Sequence, residues 1–417
     1  MNYTGPAQWK VGRYDPEPLD VLLADIAVRV QLTPTDYQKA VDRYETISKW
    51  IDREASPLHG KVELVYPQGG FAIGATIAGH ADTDFDIDLM AQLTFPSNVD
   101  PEVPLATLHE AIRGEKGSRY YDMTDRKTRC VTVTYAEMHL DLTPTVRTLP
   151  RPDRTGLIFH SKPEKPLERT RLWANPYGFA EWFNERTRAE QPFGFFFEGR
   201  SLQYDQARLQ VELGAEADPV PAQMPAYRKS LALVAFQLLK RWRNVTYGQR
   251  HPTLRCPPSV LLAHYVALHA NQTASLADEL ANQVEQIIAI LETVERADRL
   301  VHAHNERCRE DVLTDRWPAD RSDQRTFLNE LRRFRDQLAI LRRGVSLQQA
   351  FEILEGLFGE KPARGALEKT YGQHEVDRVQ GRNRHVPGIG RIPALGAAAT
   401  APTAARSTPH NTFFGER

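Results

Sequence analysis

QGGFAIGATIAGHADTDFDIDLM, residues 68–90, is the stretch on which the reading of this chain turns. Its last third alternates with a period of two, so in a strand Asp86 and Asp88 project to one side while Phe85, Ile87 and Leu89 pack on the other. Two carboxylates on one strand face form a site for a hard cation, and Mg²⁺ prefers such oxygen ligands while keeping water and phosphate oxygens in its remaining positions. Upstream, Gly69 and Gly70 let backbone N–H groups approach phosphates without a Cβ in the way. Asp82 and Asp84 extend the run to DxDxDxD, so spacing alone leaves the choice of ligands open.

On the N-terminal side, LTPTDYQKAVDRYETISKWI places Thr33 as N-cap and Pro34 in the first helical turn, with Tyr37, Val41, Tyr44, Ile47 and Ile51 at helical spacing. From residue 61 the period changes: KVELVY, FDIDLMAQL, RCVTVTY and MHLDLTPTV read as strands of one mixed sheet. In the last of these, Asp141 alternates with core-facing Met138, Leu140 and Leu142 and shares its side with His139. A third carboxylate from a neighbouring strand is what two-metal phosphoryl transfer requires, and Asp141 fits.

Past residue 215 strand signals stop, and helical periods cover Pro225–Gly248, Pro257–Ala270, Leu276–Arg299, Ser322–Arg343 and Ser346–Phe358. The expectation is an α+β fold: a catalytic lobe over 1–215, a helical lobe over 216–380 and a flexible tail over 381–417, where Ala, Pro, Gly and Thr offer little apolar surface. Lys and Arg total 53 against 54 Asp and Glu, a formal charge of −1, which lacks the basic footprint of a nucleic-acid coat and favours a small-nucleotide substrate. Cys130, Cys256 and Cys308 form no CxxC pair and suggest neither a disulfide framework nor a cysteine-rich zinc site. With no apolar run at the start and none long enough to span a bilayer, a cytoplasmic protein is expected, with no membrane partner.

Several blocks together carry a family resemblance: YPQGGFAIGAT, DFDIDL, RCVTVTYAEMHLDLTPTV, LWANPYGFAEWFNER, LVAFQLLKRWRN and CPPSVLLAHYVA, spanning about residues 60–270. A Gly-Gly element, a D-x-D strand and a lone Asp in an H-x-D strand resemble the polymerase-β-like nucleotidyltransferases. Within these the blocks resemble the bacterial cyclic-oligonucleotide synthases (CD-NTases) of anti-phage signalling, which are related to animal cyclic GMP-AMP synthase and oligoadenylate synthase. The resemblance implies a metal triad of Asp86, Asp88 and Asp141, a Mg²⁺ cofactor that Mn²⁺ can replace, and nucleoside triphosphate substrates with ATP expected among them. It also implies that Lys240 of QLLKRWR and Ser259 of CPPSV contact the donor triphosphate beside Gly69 and Gly70. The family's usual Gly-Ser is here Gly69-Gly70, and Thr76 stands one position late for its Gly-Thr. The tail ends in HNTFFGER, where His410, Phe413, Phe414 and Gly415 resemble the segment that related synthases thread into an E1/E2-like ancillary protein.

Plainer readings compete with each of these. Lys240 lies in KRWR, which also reads as an exposed basic helix face, and Ser259 is also an ordinary N-cap. The aromatics of NPYGFAEWF read as core behind an Asn-Pro turn, and His264 and His269 do not share a helix face. Two other functions remain open on sequence: a template-independent RNA nucleotidyltransferase, which shares the triad, and a non-catalytic nucleotide sensor, motivated by the missing serine hydroxyl.

Overall fold

The computed structural model describes residues 14–79, 85–148, 154–212, 228–270 and 275–379. The chain opens with α1 (Pro18–Val30) and α2 (Pro34–Ile51), followed by β1 (Val62–Pro67), α3 (Gly69–Ala72), β2 (Phe85–Leu93) and α4 (Glu102–Arg113). Then come β3 (Thr124–Arg126), β4 (Val131–Thr134), β5 (Met138–Arg147), β6 (Gly156–His160), β7 (Thr170–Ala174), α5 (Pro176–Arg186) and α6 (Gln191–Glu212). The remainder is α7 (Leu231–Arg250), α8 (Ser259–His269), α9 (Leu276–Arg296), β8 (His304–Asn305), β9 (Cys308–Val312), α10 (Arg321–Arg342), α11 (Leu347–Phe358) and α12 (Glu360–Val379).

The first seven strands form one mixed sheet in the order β1-β2-β5-β4-β3, with β6 paired to β5 and β7 to β6. Only β2 and β5 run parallel. On one face Ile87, Leu89, Leu140, Leu142, Val131 and Val133 are fully buried, together with Ile47 and Ile51 of α2 and Leu108 and Ile112 of α4. α2 begins as expected, with the Thr33 hydroxyl accepting from Asp36 N–H at 3.0 Å and Pro34 in the first turn; such a cap stabilises a helix by about 1 kcal/mol.

A second core gathers around α7, whose residues from Leu231 to Leu239 are all buried. It takes in α1, α5, α8, α9, α10, α11 and α12, and the aromatics Phe179, Trp182 and Phe183 of α5 lie in it, behind an Asn175 cap. α11 starts and stops at Ser346 and Gly359, as its sequence predicts.

Several elements depart from the sequence reading: it named none of α4, α6 and α12, and two further cases have a clear cause. Strand signals were expected to end by residue 215, yet β8 and β9 form an antiparallel hairpin. Asp311 anchors it, its Oδ2 accepting from Asn175 N at 3.0 Å and Asn305 Nδ2 at 2.9 Å; CREDV is too short and too charged to show a period. α1 also went unread, because PLDVLLADIAVRV is buried on nearly all sides and so carries no apolar stripe. The tail residues His410, Phe413, Phe414 and Gly415, and Asp82 and Asp84 of the acidic run, lie outside the described residues.

Candidate active site

Parallel pairing of β2 with β5 sets the geometry. The register places Asp88 opposite Asp141 and Asp86 opposite His139. Since Ile87, Leu89, Leu140 and Leu142 are sealed in the core, the period of two sends the three carboxylates to the other face of the sheet, the one that meets α7. Asp141 is held further by Thr132, its direct neighbour on β4, whose hydroxyl donates to Asp141 Oδ1 at 2.5 Å.

Burial and, after it, like charge show in the acidities. Burial, then Asp141 and Asp86, push the Asp88 carboxyl up to about 7, with Lys240 pulling the other way. Asp86 is raised as well, by burial first and by Asp141 next. Such a face costs free energy unless positive charge is placed on it. Oxygen donors of this kind, held on rigid strands, fit a hard divalent cation. Among the described residues no three His, Cys, Asp or Glu side chains are drawn together closely enough to hold a metal ion by themselves. Cys130, beside Asp141, is pushed up to about 12 by burial and these carboxylates, so it stays a thiol and is a poor soft-metal ligand.

The turn after β1 brings the glycines to this face. Gln68 N–H donates to the Asp88 carbonyl at 2.9 Å. Gly69 follows at φ +56, and a Cβ there would lie 2.7 Å from Asp88 Oδ2, so both backbone and space require glycine. A Cβ on Gly70 would lie 3.1 Å from Lys240 Nζ. The Lys240 ammonium therefore occupies ground that a serine side chain would enter, which is the physical counterpart of the departure from Gly-Ser.

α7 sorts its basic run by face. Lys240 and Arg243, three residues apart, share one face of α7; both feel Asp86, and Lys240 is pulled down to about 8 by burial and then by Arg243, against Asp88 and Asp86. Arg241 points away and donates to the carbonyls of Phe358 at 2.9 Å and Gly79 at 2.8 Å, and Trp242 stacks on Phe334 at 4.8 Å. Ser259 begins α8 and its Oγ accepts from Arg243 Nη1 at 2.8 Å. The structure thus brings Asp86, Asp88, Asp141, Gly69, Gly70 and Lys240 to one place and ties Ser259 to them through Arg243. Thr132 and Arg243 were missed on sequence; Arg243 was legible only as the residue three after Lys240.

A carboxylate-bearing mixed sheet facing a basic spine helix across a glycine turn defines a nucleotidyltransferase. The sequence profile of the Second Messenger Oligonucleotide or Dinucleotide Synthetase domain matches residues 21–185. Over 412 residues, 96% of this chain and 95% of the relative, the chain is 34% identical to the cyclic dinucleotide synthase CdnG of Bradyrhizobium diazoefficiens. The solved structure of the CD-NTase CdnG from that organism in complex with GTP matches with a TM-score of 0.73 at 32% identity, covering 85% of this chain and 99% of that one. A c-di-GMP synthase of Roseivirga ehrenbergii is 22% identical over 357 residues, 84% of this chain and 86% of the relative. The chain belongs to the CD-NTase family, nucleotidyltransferases that make cyclic oligonucleotides from nucleoside triphosphates and are in general metal-dependent. No described helix is long and apolar enough to cross a membrane.

Proposed function

We propose that this chain joins two molecules of GTP into a cyclic dinucleotide that serves as a cytoplasmic second messenger in anti-phage defence. The observation that carries the catalytic part is the register of Asp88 with Asp141 on adjacent parallel strands, with Asp86 beside them. The guanine part is supported by similarity to the synthases that are named for c-di-GMP or bound to GTP, and it moves the base expectation from ATP to GTP.

In this reading Asp86, Asp88 and Asp141 hold divalent metal, Mg²⁺ or in its place Mn²⁺. Bound there, the metal supplies Lewis acidity for the entering hydroxyl and the departing pyrophosphate. Gly69 and Gly70 offer backbone N–H groups, Lys240 an ammonium and Ser259 a hydroxyl to the donor triphosphate. A ribose hydroxyl of the acceptor attacks the donor α-phosphorus in line; the new P–O bond forms as the bond to pyrophosphate breaks, and the hydroxyl proton leaves to solvent. A second such step closes the ring. Asp141, fixed by Thr132, stands on the acceptor side.

Purified protein supplied with Mg²⁺ and GTP alone tests the base assignment. A phosphatase-resistant product of the mass of a cyclic di-guanylate supports it; a product that forms only when ATP is also supplied refutes it. The tail belongs to the proposal on its sequence alone: HNTFFGER docks an E1/E2-like ancillary protein, and unchanged binding of that protein after deletion of residues 410–417 would remove it.

A further inference from the structure

Arg243 is a buried cation for which the chemistry above has no use. It is 7% exposed, and among the described residues it forms no ion pair. Its donors are spent on neutral oxygens: Nη1 on the Pro257 carbonyl and on Ser259 Oγ, each at 2.8 Å, and Nε and Nη2 on Asn244 Oδ1 at 3.1 and 2.6 Å. A guanidinium buried among neutral acceptors keeps an uncompensated charge, which an arriving anion would answer. Burial does lower its proton affinity, and Asp86 is among the anionic groups that work against this.

The bond to Ser259 has a directional consequence. A hydroxyl has one hydrogen to donate and two lone pairs. Arg243 occupies a lone pair, and among the described residues no acceptor takes the hydrogen. With one side fixed, the Ser259 O–H is turned away from Arg243 at the first residue of α8, where free backbone N–H groups also favour an anion. Lys240, one turn before Arg243 on α7, borders the same space from the glycine turn.

We propose that Arg243 is a positioning residue for the donor triphosphate: it holds Ser259 with its O–H free to donate to a phosphate oxygen and sets a second positive charge behind Lys240. The inference rests on the reading of Ser259 and Lys240 as donor-phosphate contacts. It also explains arginine in particular, because only a planar fork bridges the Pro257 carbonyl, Ser259 and Asn244 at once.

The test measures affinity, with Mg²⁺, for guanosine 5′-[α,β-methylene]triphosphate and for GMP in wild type, Ser259→Ala, Arg243→Met, Arg243→Lys and the double variant Arg243→Met/Ser259→Ala. Loss of a charge-assisted contact predicts about tenfold weaker triphosphate binding in Arg243→Met, with GMP binding nearly unchanged. Arg243→Lys keeps the charge and the fold but restores little, and the double variant binds little worse than the weaker single variant. Equal losses for triphosphate and GMP, or additive losses in the double variant, would make Arg243 a structural prop and overturn the inference alone. Unchanged triphosphate binding in both Ser259→Ala and Arg243→Met would overturn the placement of donor phosphates at Ser259, and the inference with it.

Discussion

Replacing Asp88 by asparagine keeps the shape of the side chain and removes one charge from the crowded carboxylate face. In metal-free wild type the Asp88 carboxyl is raised from 3.8 to about 7 by burial, Asp141 and Asp86. At about 1.36 kcal/mol per unit the shift corresponds to about 4 kcal/mol, which solvent relaxation and counter-ions reduce to about 2 kcal/mol. Because the folded-state value is raised, the stability associated with the bound proton is full below the unfolded value and is lost as pH rises through about 7. Metal-free Asp88→Asn therefore melts higher than wild type at about pH 8, by about 2–6 °C, and close to it at about pH 4. Added Mg²⁺ closes the gap by stabilising wild type alone, while the variant loses about a hundredfold or more in activity. Thermal melts in chelator at both pH values, repeated with Mg²⁺, measure all of this. A variant less stable than wild type at high pH in chelator, or a wild type whose stability ignores Mg²⁺, would refute the reasoning.

Gly69→Ala forces a Cβ to 2.7 Å from Asp88 Oδ2 at a φ of +56; activity should fall about a hundredfold while the melting point drops only by the strain of a left-handed residue, about 1–2 kcal/mol, as turnover and circular dichroism will report. Lys240→Met should weaken triphosphate binding about tenfold or more. In wild type, binding to the metal-free enzyme should decline as pH rises through about 8, where the ammonium discharges, and titrations should find that limb missing in the variant. Arg241→Met should do the reverse, lowering stability by about 2–4 kcal/mol through orphaned carbonyls on the far face of α7 while leaving triphosphate affinity unchanged.

What could be read from the sequence follows from burial. FDIDL and HLDL lie on central strands with one face in the core, so the alternation survives and separates Asp86, Asp88 and Asp141 from their apolar neighbours. α2 carried its own cap and a one-sided stripe. α1 is buried on nearly all sides, so its sequence carries no one-sided stripe to read. Arg243 stayed hidden because α7 is almost wholly core, and nothing local says which of its turns faces the sheet. Gly70 read as a lost hydroxyl, since the approach of Lys240 Nζ to that glycine exists only once two distant segments meet.

The most direct test of the whole account incubates wild type and Asp86→Ala/Asp88→Ala with all four labelled ribonucleoside triphosphates and Mg²⁺, reading pyrophosphate release and phosphatase-resistant product together. Wild type should release pyrophosphate and yield a cyclic product, and the double variant should yield neither while keeping its fold. A product of equal yield from both proteins would contradict the assignment of catalysis to this carboxylate face.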